Sequence, residues 1–221
     1  LLGRTNSKLE AVYDEIEAAG GAKPAIIEMD LSTAAEDSYA NLAASLGNEF
    51  SCLDGILHNA ALLGDRRPIA NAGYTTWLEV MQVNVNAQFL LTRYLLPLLH
   101  LAPVASIIMT SSTVGRTGKA YWGAYAVSKF ATEGFMQVLA SELEHTSRIR
   151  VNSLNPLATN TAMRRAALSS RSSVVAATRS ISMRTSMASP TAADSCSRMP
   201  SIALLSTWLI CSVRTLVCRM T

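Results

Sequence analysis

The stretch Ser106-Ile-Ile-Met-Thr-Ser-Ser112 decides the fold. Four residues of strand-forming, mostly apolar character stop on Thr110, Ser111 and Ser112, and a loop bearing Gly115 and Gly118 follows. The next segment, Gly123-Ala-Tyr-Ala-Val-Ser-Lys-Phe130, opens a helix predicted over residues 123–145. This strand–loop–helix unit recurs on both sides. Leu1-Leu2-Gly3 reads as the tail of a strand, and Thr5, Asn6 and Ser7 can cap a helix whose one face is Leu9, Val12 and Ile16. Gly20-Gly21 ends that helix, because glycine accepts the left-handed turn. Pro24 to Met29 is a short strand closing on Asp30, and Thr33-Ala-Ala-Glu36 is a capping box for a second helix to about Leu46. Leu53 to His58 is a further buried strand. A long helical pattern runs from Thr76 to Leu99, with Pro97 near its end, and Ile149 to Leu154 is one more strand, ended by Asn155-Pro156. Alternating strands and helices predict an α/β fold, a doubly wound parallel sheet with helices on both faces.

Tyr125 and Lys129 are spaced i, i+4, which places phenol and ammonium one turn apart on one helix face, and Ser112 lies thirteen residues upstream of the tyrosine. Alone, such a pair is common on solvated helix faces. Beside an ammonium, however, a phenolate is favoured, so the tyrosine pKa is expected to fall from about 10 toward neutrality. A phenol so tuned can trade protons with an alcohol or carbonyl. A nearby serine hydroxyl can hold the carbonyl oxygen. The trio therefore reads as carbonyl/alcohol redox chemistry with an external hydride carrier. Ligands in open parallel sheets bind at the carboxyl ends of the strands. Asp30, Asn59, Ser112 and Asn155-Pro156 all fall at such ends, so they mark one crevice.

Composition removes other classes. Half of the 221 residues are hydrophobic and 16% are charged, as a buried, helix-covered sheet requires. A net charge of +3, without a Lys/Arg run among aromatics, gives no nucleic-acid footprint. Cys52, Cys196, Cys211 and Cys218 form no Cys-x-x-Cys pair, which suits a reducing, cytoplasmic compartment. His58, His100 and His145 lack metal-ligand spacing, so no metal is expected. The apolar stretches at 89–109 and 203–213 are interrupted or short, so no membrane span is expected.

With these residues in place, the chain over about residues 1–165 resembles the short-chain dehydrogenase/reductase family. His58-Asn59-Ala60-Ala61 is similar to the family's Asn-Asn-Ala-Gly, and Val83-Asn84-Val85 to the segment carrying its helix asparagine. Ser112 with Tyr125-Ala-Val-Ser-Lys129 resembles its Ser and Tyr-x-x-x-Lys, and Asn155-Pro156 its turn before the nicotinamide-covering segment. The resemblance implies a three-layer, Rossmann-like NAD(P)-binding domain over residues 1–168. It implies Tyr125 as acid/base, Lys129 as its pKa-lowering neighbour and ribose ligand, Ser112 as the group orienting the substrate oxygen, and Asn84 as the holder of a relay water. It further implies Asn59 and Ala60 beside the adenosine, Asp30 and Leu31 at the adenine, and Pro156 near the nicotinamide. Arg4, just after a strand, is implied to meet an adenosine 2′-phosphate, which favours NADP(H) over NAD(H). Implied too are a small carbonyl or alcohol substrate and a homodimer or homotetramer joined through the helices at 76–99 and 123–145. Plainer roles stand beside these: Asn84 bonded to a backbone group, Asp30 as a helix-entry cap, Asn59 as a turn residue, Arg4 as a solvated loop cation. His58 reads as structural.

Three departures accompany the likeness. No Gly-x-x-x-Gly-x-Gly occurs, so the chain is expected to begin after the family's first βα unit and to lack its pyrophosphate cradle. In the family order 3-2-1-4-5-6-7 that first strand is central, so its loss is expected to separate strands two and three from the rest. Ala61 and Leu157 stand where glycine is usual, and Leu157 is the worse of the two if its φ must be positive. Finally, residues 169–221 hold thirteen serines, no Gly, Asn, Lys, Phe or Tyr, and one acid, Asp194. They read as an atypical Ser/Arg-rich tail, an out-of-frame translation where a substrate loop belongs. An enzyme is the first expectation; a non-catalytic, truncated relative with impaired cofactor binding is the alternative.

Overall fold

The computed structural model describes residues 1–157, 163, 165, 182–185 and 215–218. Strand β1 (Leu2–Gly3) leads through α1 (Asn6–Ala18) to β2 (Ile27–Glu28), and α2 (Glu36–Glu49) leads on to β3 (Gly55–His58). Helices α3 (Tyr74–Met81) and α4 (Ala87–His100) are joined through a five-residue π turn, Gln82–Asn86. Then come β4 (Ala105–Thr110), α5 (Gly123–Leu143) and β5 (Ile149–Asn155), with β6 (Ser182–Thr185) and β7 (Thr215–Cys218) completing the sheet. The strand order is β2-β1-β7-β3-β4-β5-β6, parallel throughout except for the antiparallel β6 at one edge.

The parallel α/β expectation holds, and one correction concerns the centre of the sheet. Strands β1 and β2 are not separated from the others. Thr215–Cys218 pairs with β1 on one side and with β3 on the other, Leu2 and His58 both standing opposite Cys218. Two interior strand edges would otherwise carry unpaired N–H and C=O groups, and a strand between them satisfies both rows. The rest of the expected tail, and the proposed change of frame, lie outside the described residues.

Period-two alternation along the strands sorts the core. Ile56, Ile107, Met109 and Val151 pack on one face with Leu42 and Leu46 of α2, Leu91, Leu95 and Leu99 of α4, and Met136, Leu139 and Leu143 of α5. Leu57, Ile108 and Leu154 form a smaller cluster on the other face. Helix α1 buries Leu9, Val12 and Ile16, as its 3.6-residue period predicts. It ends in a Schellman turn: Gly20 has φ +74°, its N–H donates to Glu17 O, and the Gly21 N–H donates to Ile16 O. The capping box at Thr33 does not form. The Thr33 and Ala34 N–H groups donate to Asp30 O, and α2 starts at Glu36 without a side-chain cap. The long helix expected at 76–99 is correct in extent and interrupted in register. No described helix is long and apolar enough to cross a membrane.

Candidate active site

Strand β4 delivers Thr110 and then Ser112 to the carboxyl edge of the sheet, and α5 packs against the same edge with Tyr125 and Lys129 on its inner face. Lys129 is buried to 1% exposure, and its Nζ donates to Thr110 O at 2.7 Å. The ammonium stands 5.6 Å from the centroid of the Tyr125 ring. Burial pushes its pKa down to about 8. Tyr125 shares a side-chain hydrogen bond with Ser112, so the serine chosen by spacing is the one that reaches the phenol. Its neighbour Ser111 is turned inward, with a buried hydroxyl that meets no partner among the described residues.

The expected direction of the tyrosine pKa is corrected. Burial raises it above the ordinary 10, and the Ser112 hydrogen bond only partly offsets that rise. The physical reason is placement. Lys129 faces the ring and spends a donor on Thr110 O, while the phenol pays the desolvation cost of its own charged form.

Asn84 is fully buried in the π turn. Its Oδ1 accepts from Leu62 N–H at 2.7 Å, and its Nδ2 donates to Leu62 O and to Ser128 Oγ, both at 2.9 Å. Ser128 Oγ in turn donates to Tyr125 O at 2.8 Å. Both amide hydrogens are therefore engaged, and the plainer expectation, a bond to backbone, describes this side chain. Asn84 latches the loop after β3 to the helix that carries Tyr125.

The other expected residues fall at the same sheet edge in differing states. Asn59 Oδ1 accepts from Thr110 Oγ1 at 3.0 Å, tying β3 to β4. Asp30 Oδ1 accepts from Ser32 N–H and Oγ, which hold its carboxyl below the usual range, with a smaller contribution from the Arg4 guanidinium. It closes the turn at Ser32 rather than capping α2, which starts at Glu36 without a side-chain cap. Arg4 is exposed just beyond β1. Leu31 and Ala60 are packed into the main core. Pro156 follows β5 directly, and Leu157 has φ 53° where its N–H donates to Asn155 Oδ1. Asn155 Nδ2 reaches across to Thr113 Oγ1 at 3.2 Å. His58 is buried against Thr92 Oγ1 at 2.9 Å, and desolvation, helped by the Lys129 charge, drives its pKa down to about 3. It is a neutral structural imidazole.

Sequence reasoning missed several supports. Gly115 was read only as a loop glycine, yet a Cβ there would stand 2.8 Å from the backbone of Lys129, so the Ser112 loop lies flush on α5. Arg116 Nε pairs with the buried Glu133 Oε1 at 3.1 Å, and Ser153 Oγ donates to Glu133 Oε2, joining the loop, α5 and β5. Trp122 had no role; it packs 5.9 Å from the Tyr125 ring, with the Arg66 guanidinium 4.7 Å over its own ring. Arg116 and Glu133 are seventeen residues apart, so no local signal could announce them. Trp122 at three residues before Tyr125 could have been found by helical spacing.

Comparison with known proteins places the chain. A family model described as short chain dehydrogenase matches residues 1–172. The oxidoreductase YciK of Escherichia coli (strain K12), itself uncharacterised, is 50% identical over 167 residues, covering 76% of this chain and 66% of that protein. A short chain dehydrogenase structure from Pseudomonas syringae shares 54% identity at a TM-score of 0.73, covering 75% of this chain and 69% of its own. One from Escherichia coli CFT073, crystallised with NADPH, shares 48% identity at the same TM-score, covering 77% and 70%. The chain spans between 41% and 66% of the length of these and other curated relatives that it matches. The chain belongs to the short chain dehydrogenase family.

Proposed function

We propose that this chain carries the catalytic side of an NADP(H)-dependent oxidoreductase that interconverts a carbonyl and an alcohol by hydride transfer. One observation carries the reading: Tyr125 is hydrogen-bonded to Ser112 while the Lys129 ammonium is buried beside its ring and fixed on Thr110 O. The residues fit the two ends of the cofactor. Arg4, exposed after β1, offers a guanidinium to an adenosine 2′-phosphate, and Lys129 offers its remaining N–H groups to a ribose hydroxyl. The NADPH complex of the Escherichia coli CFT073 relative supports NADP(H) over NAD(H).

Hydride is the chemistry that the bound cofactor would supply. The chain's own residues then manage the proton. With its pKa raised by burial, Tyr125 is protonated at neutral pH and can donate its O–H to a carbonyl oxygen. Ser112 holds that oxygen in line. The phenolate left behind is stabilised by the Lys129 ammonium, which is charged below about pH 8. Oxidation runs the same proton in reverse.

Replacement of Tyr125 by Phe is expected to lower kcat for carbonyl reduction by about 10²–10⁴-fold, with NADPH affinity nearly unchanged. Wild-type reduction is expected to hold level through neutrality and to decline above about pH 8, as Lys129 loses its charge. Steady-state rates and an NADPH titration check both; unchanged turnover in the variant contradicts the assignment.

We also propose pairing of two copies, since Val127, Phe130 and Val138 expose an apolar stripe along α5 beside Phe89 of α4.

A further inference from the structure

Tyr125, Lys129 and Glu133 follow one another at four-residue steps on the buried face of α5. The proposed chemistry uses the first two. Glu133 takes no part in it, yet its carboxylate is buried, with the residue 5% exposed. Both of its oxygens are engaged. Oε1 accepts from Arg116 Nε at 3.1 Å, and Oε2 accepts from Ser153 Oγ, also at 3.1 Å. Arg116 Nη2 donates to the same Ser153 Oγ at 3.4 Å, which closes a ring of three side chains. A buried ion pair adds little net stability over an apolar pair of similar size. What this ring adds is geometry, because a planar guanidinium fixes both the distance and the angle at which its loop meets the helix.

The loop so held is the one that carries Ser112. A single turn links the two residues: the Gly115 N–H donates to Ser112 O at 3.0 Å, and the Arg116 N–H to Thr113 O at 3.1 Å. Gly115 leaves no slack between loop and helix, since a Cβ there would stand 2.8 Å from the Lys129 backbone. The clamp grips α5 one turn beyond Lys129, and the loop reaches back to set Ser112 on Tyr125, two turns earlier. Other bonds tether this loop to β5. The Ser111 N–H donates to Leu154 O at 2.7 Å, and Asn155 Nδ2 donates to Thr113 Oγ1 at 3.2 Å. They fix it on the sheet, whereas the Arg116–Glu133 pair fixes it on the helix that bears the phenol.

We infer that Arg116 and Glu133 are positioning residues that hold the Ser112 hydroxyl on the Tyr125 phenol. The inference rests on the reading of Ser112 and Tyr125 as the pair that handles the proton. Neither residue touches the reacting atoms. Their effect passes through the turn at Thr113–Gly115, so it should vanish when Ser112 no longer has a hydroxyl to place.

Removing one charge alone would leave the other buried and unpaired, so the test variant removes both: Arg116→Met with Glu133→Gln, whose amide still bonds Ser153. Circular dichroism establishes that it is folded. The first readout is the ring 13Cζ resonance of Tyr125 in the tyrosine-labelled full chain, assigned by its loss in Tyr125→Phe. Ser112→Ala is expected to shift it. The paired variant is expected to shift it in the same direction, and Ser112→Ala added to that variant to shift it no further. Arg116→Lys keeps the charge and therefore protects the fold, and it is expected to shift the resonance the same way by less, as the fork is lost. The second readout is carbonyl reduction. The paired variant is expected to lose about 10–100-fold in kcat, with KM for NADPH nearly unchanged. In a Ser112→Ala background the same substitutions are expected to cost less than about twofold. The resonance needs no turnover: a wild type that reduces no carbonyl, with the shifts as expected, would sink the redox reading and support the positioning. A Tyr125 resonance at its wild-type position in the folded paired variant, or in Arg116→Lys should only that variant fold, would overturn the inference. So would a loss in kcat that multiplies in full on top of Ser112→Ala.

Discussion

Leu157 stands in the left-handed region, with φ 53°, two residues after the end of β5 at Asn155. A leucine there costs roughly 1–2 kcal/mol of steric strain, while a glycine would lose about 0.5–1 kcal/mol more backbone entropy on folding. Leu157→Gly is therefore expected to stabilise the chain by roughly 0.5–1 kcal/mol in urea unfolding; destabilisation would mean that the side chain contributes packing worth more than the strain. The sequence flagged this position by its departure from a glycine pattern, and the backbone angle supplies the reason. Tyr125, Lys129 and Ser112 were equally legible, because their chemistry depends on residue type and helical register. The direction of the tyrosine pKa was not. It is a contest between a nearby charge and desolvation, and burial is a property of the packed molecule.

At the scale of elements, Thr76 to Leu99 is expected as one helix, and the structure has two helices, Tyr74–Met81 and Ala87–His100, run together through a π turn at Gln82–Asn86. Hydrophobic period alone does not resolve one inserted residue. The insertion matters because it carries Asn84, whose amide binds Leu62 N–H, Leu62 O and Ser128 Oγ. Asn84→Ala would leave two polar backbone groups of the Leu62 loop without partners. A loss of about 2–4 kcal/mol in stability is expected, with faster hydrogen exchange at the Leu62 amide and lower reductase activity. Wild-type exchange at Leu62 in a folded variant would contradict the latch. The failed capping box at Thr33 has a similar cause: Asp30 wins the local N–H groups first, and the helix starts three residues later. Elements with a strong period, α1 and α5 above all, were read correctly, because their buried stripes are written at 3.6-residue spacing.

For the whole molecule, alternation of strands and helices was enough to specify a parallel, doubly wound sheet, and family membership agrees with it. The filling of the central slot by Thr215–Cys218 was not legible, since pairing across more than 150 residues has no local signature. That strand keeps Arg4 and Asp30, on the β1–β2 side, in one sheet with Asn59, Ser112 and Tyr125 on the other. The two ends of the proposed NADP(H) site are thereby held on a common edge. In the proposed reaction Tyr125 supplies the proton while a hydride crosses from NADPH to a carbonyl carbon. The most direct test is mass spectrometry of the alcohol formed by the full chain from a ketone and NADPH deuterated at C4. The account predicts one deuterium on the carbinol carbon with the wild type and none above background with Tyr125→Phe. Deuterium transfer at the same rate by both proteins, or alcohol formed without deuterium from either C4 face, would contradict it.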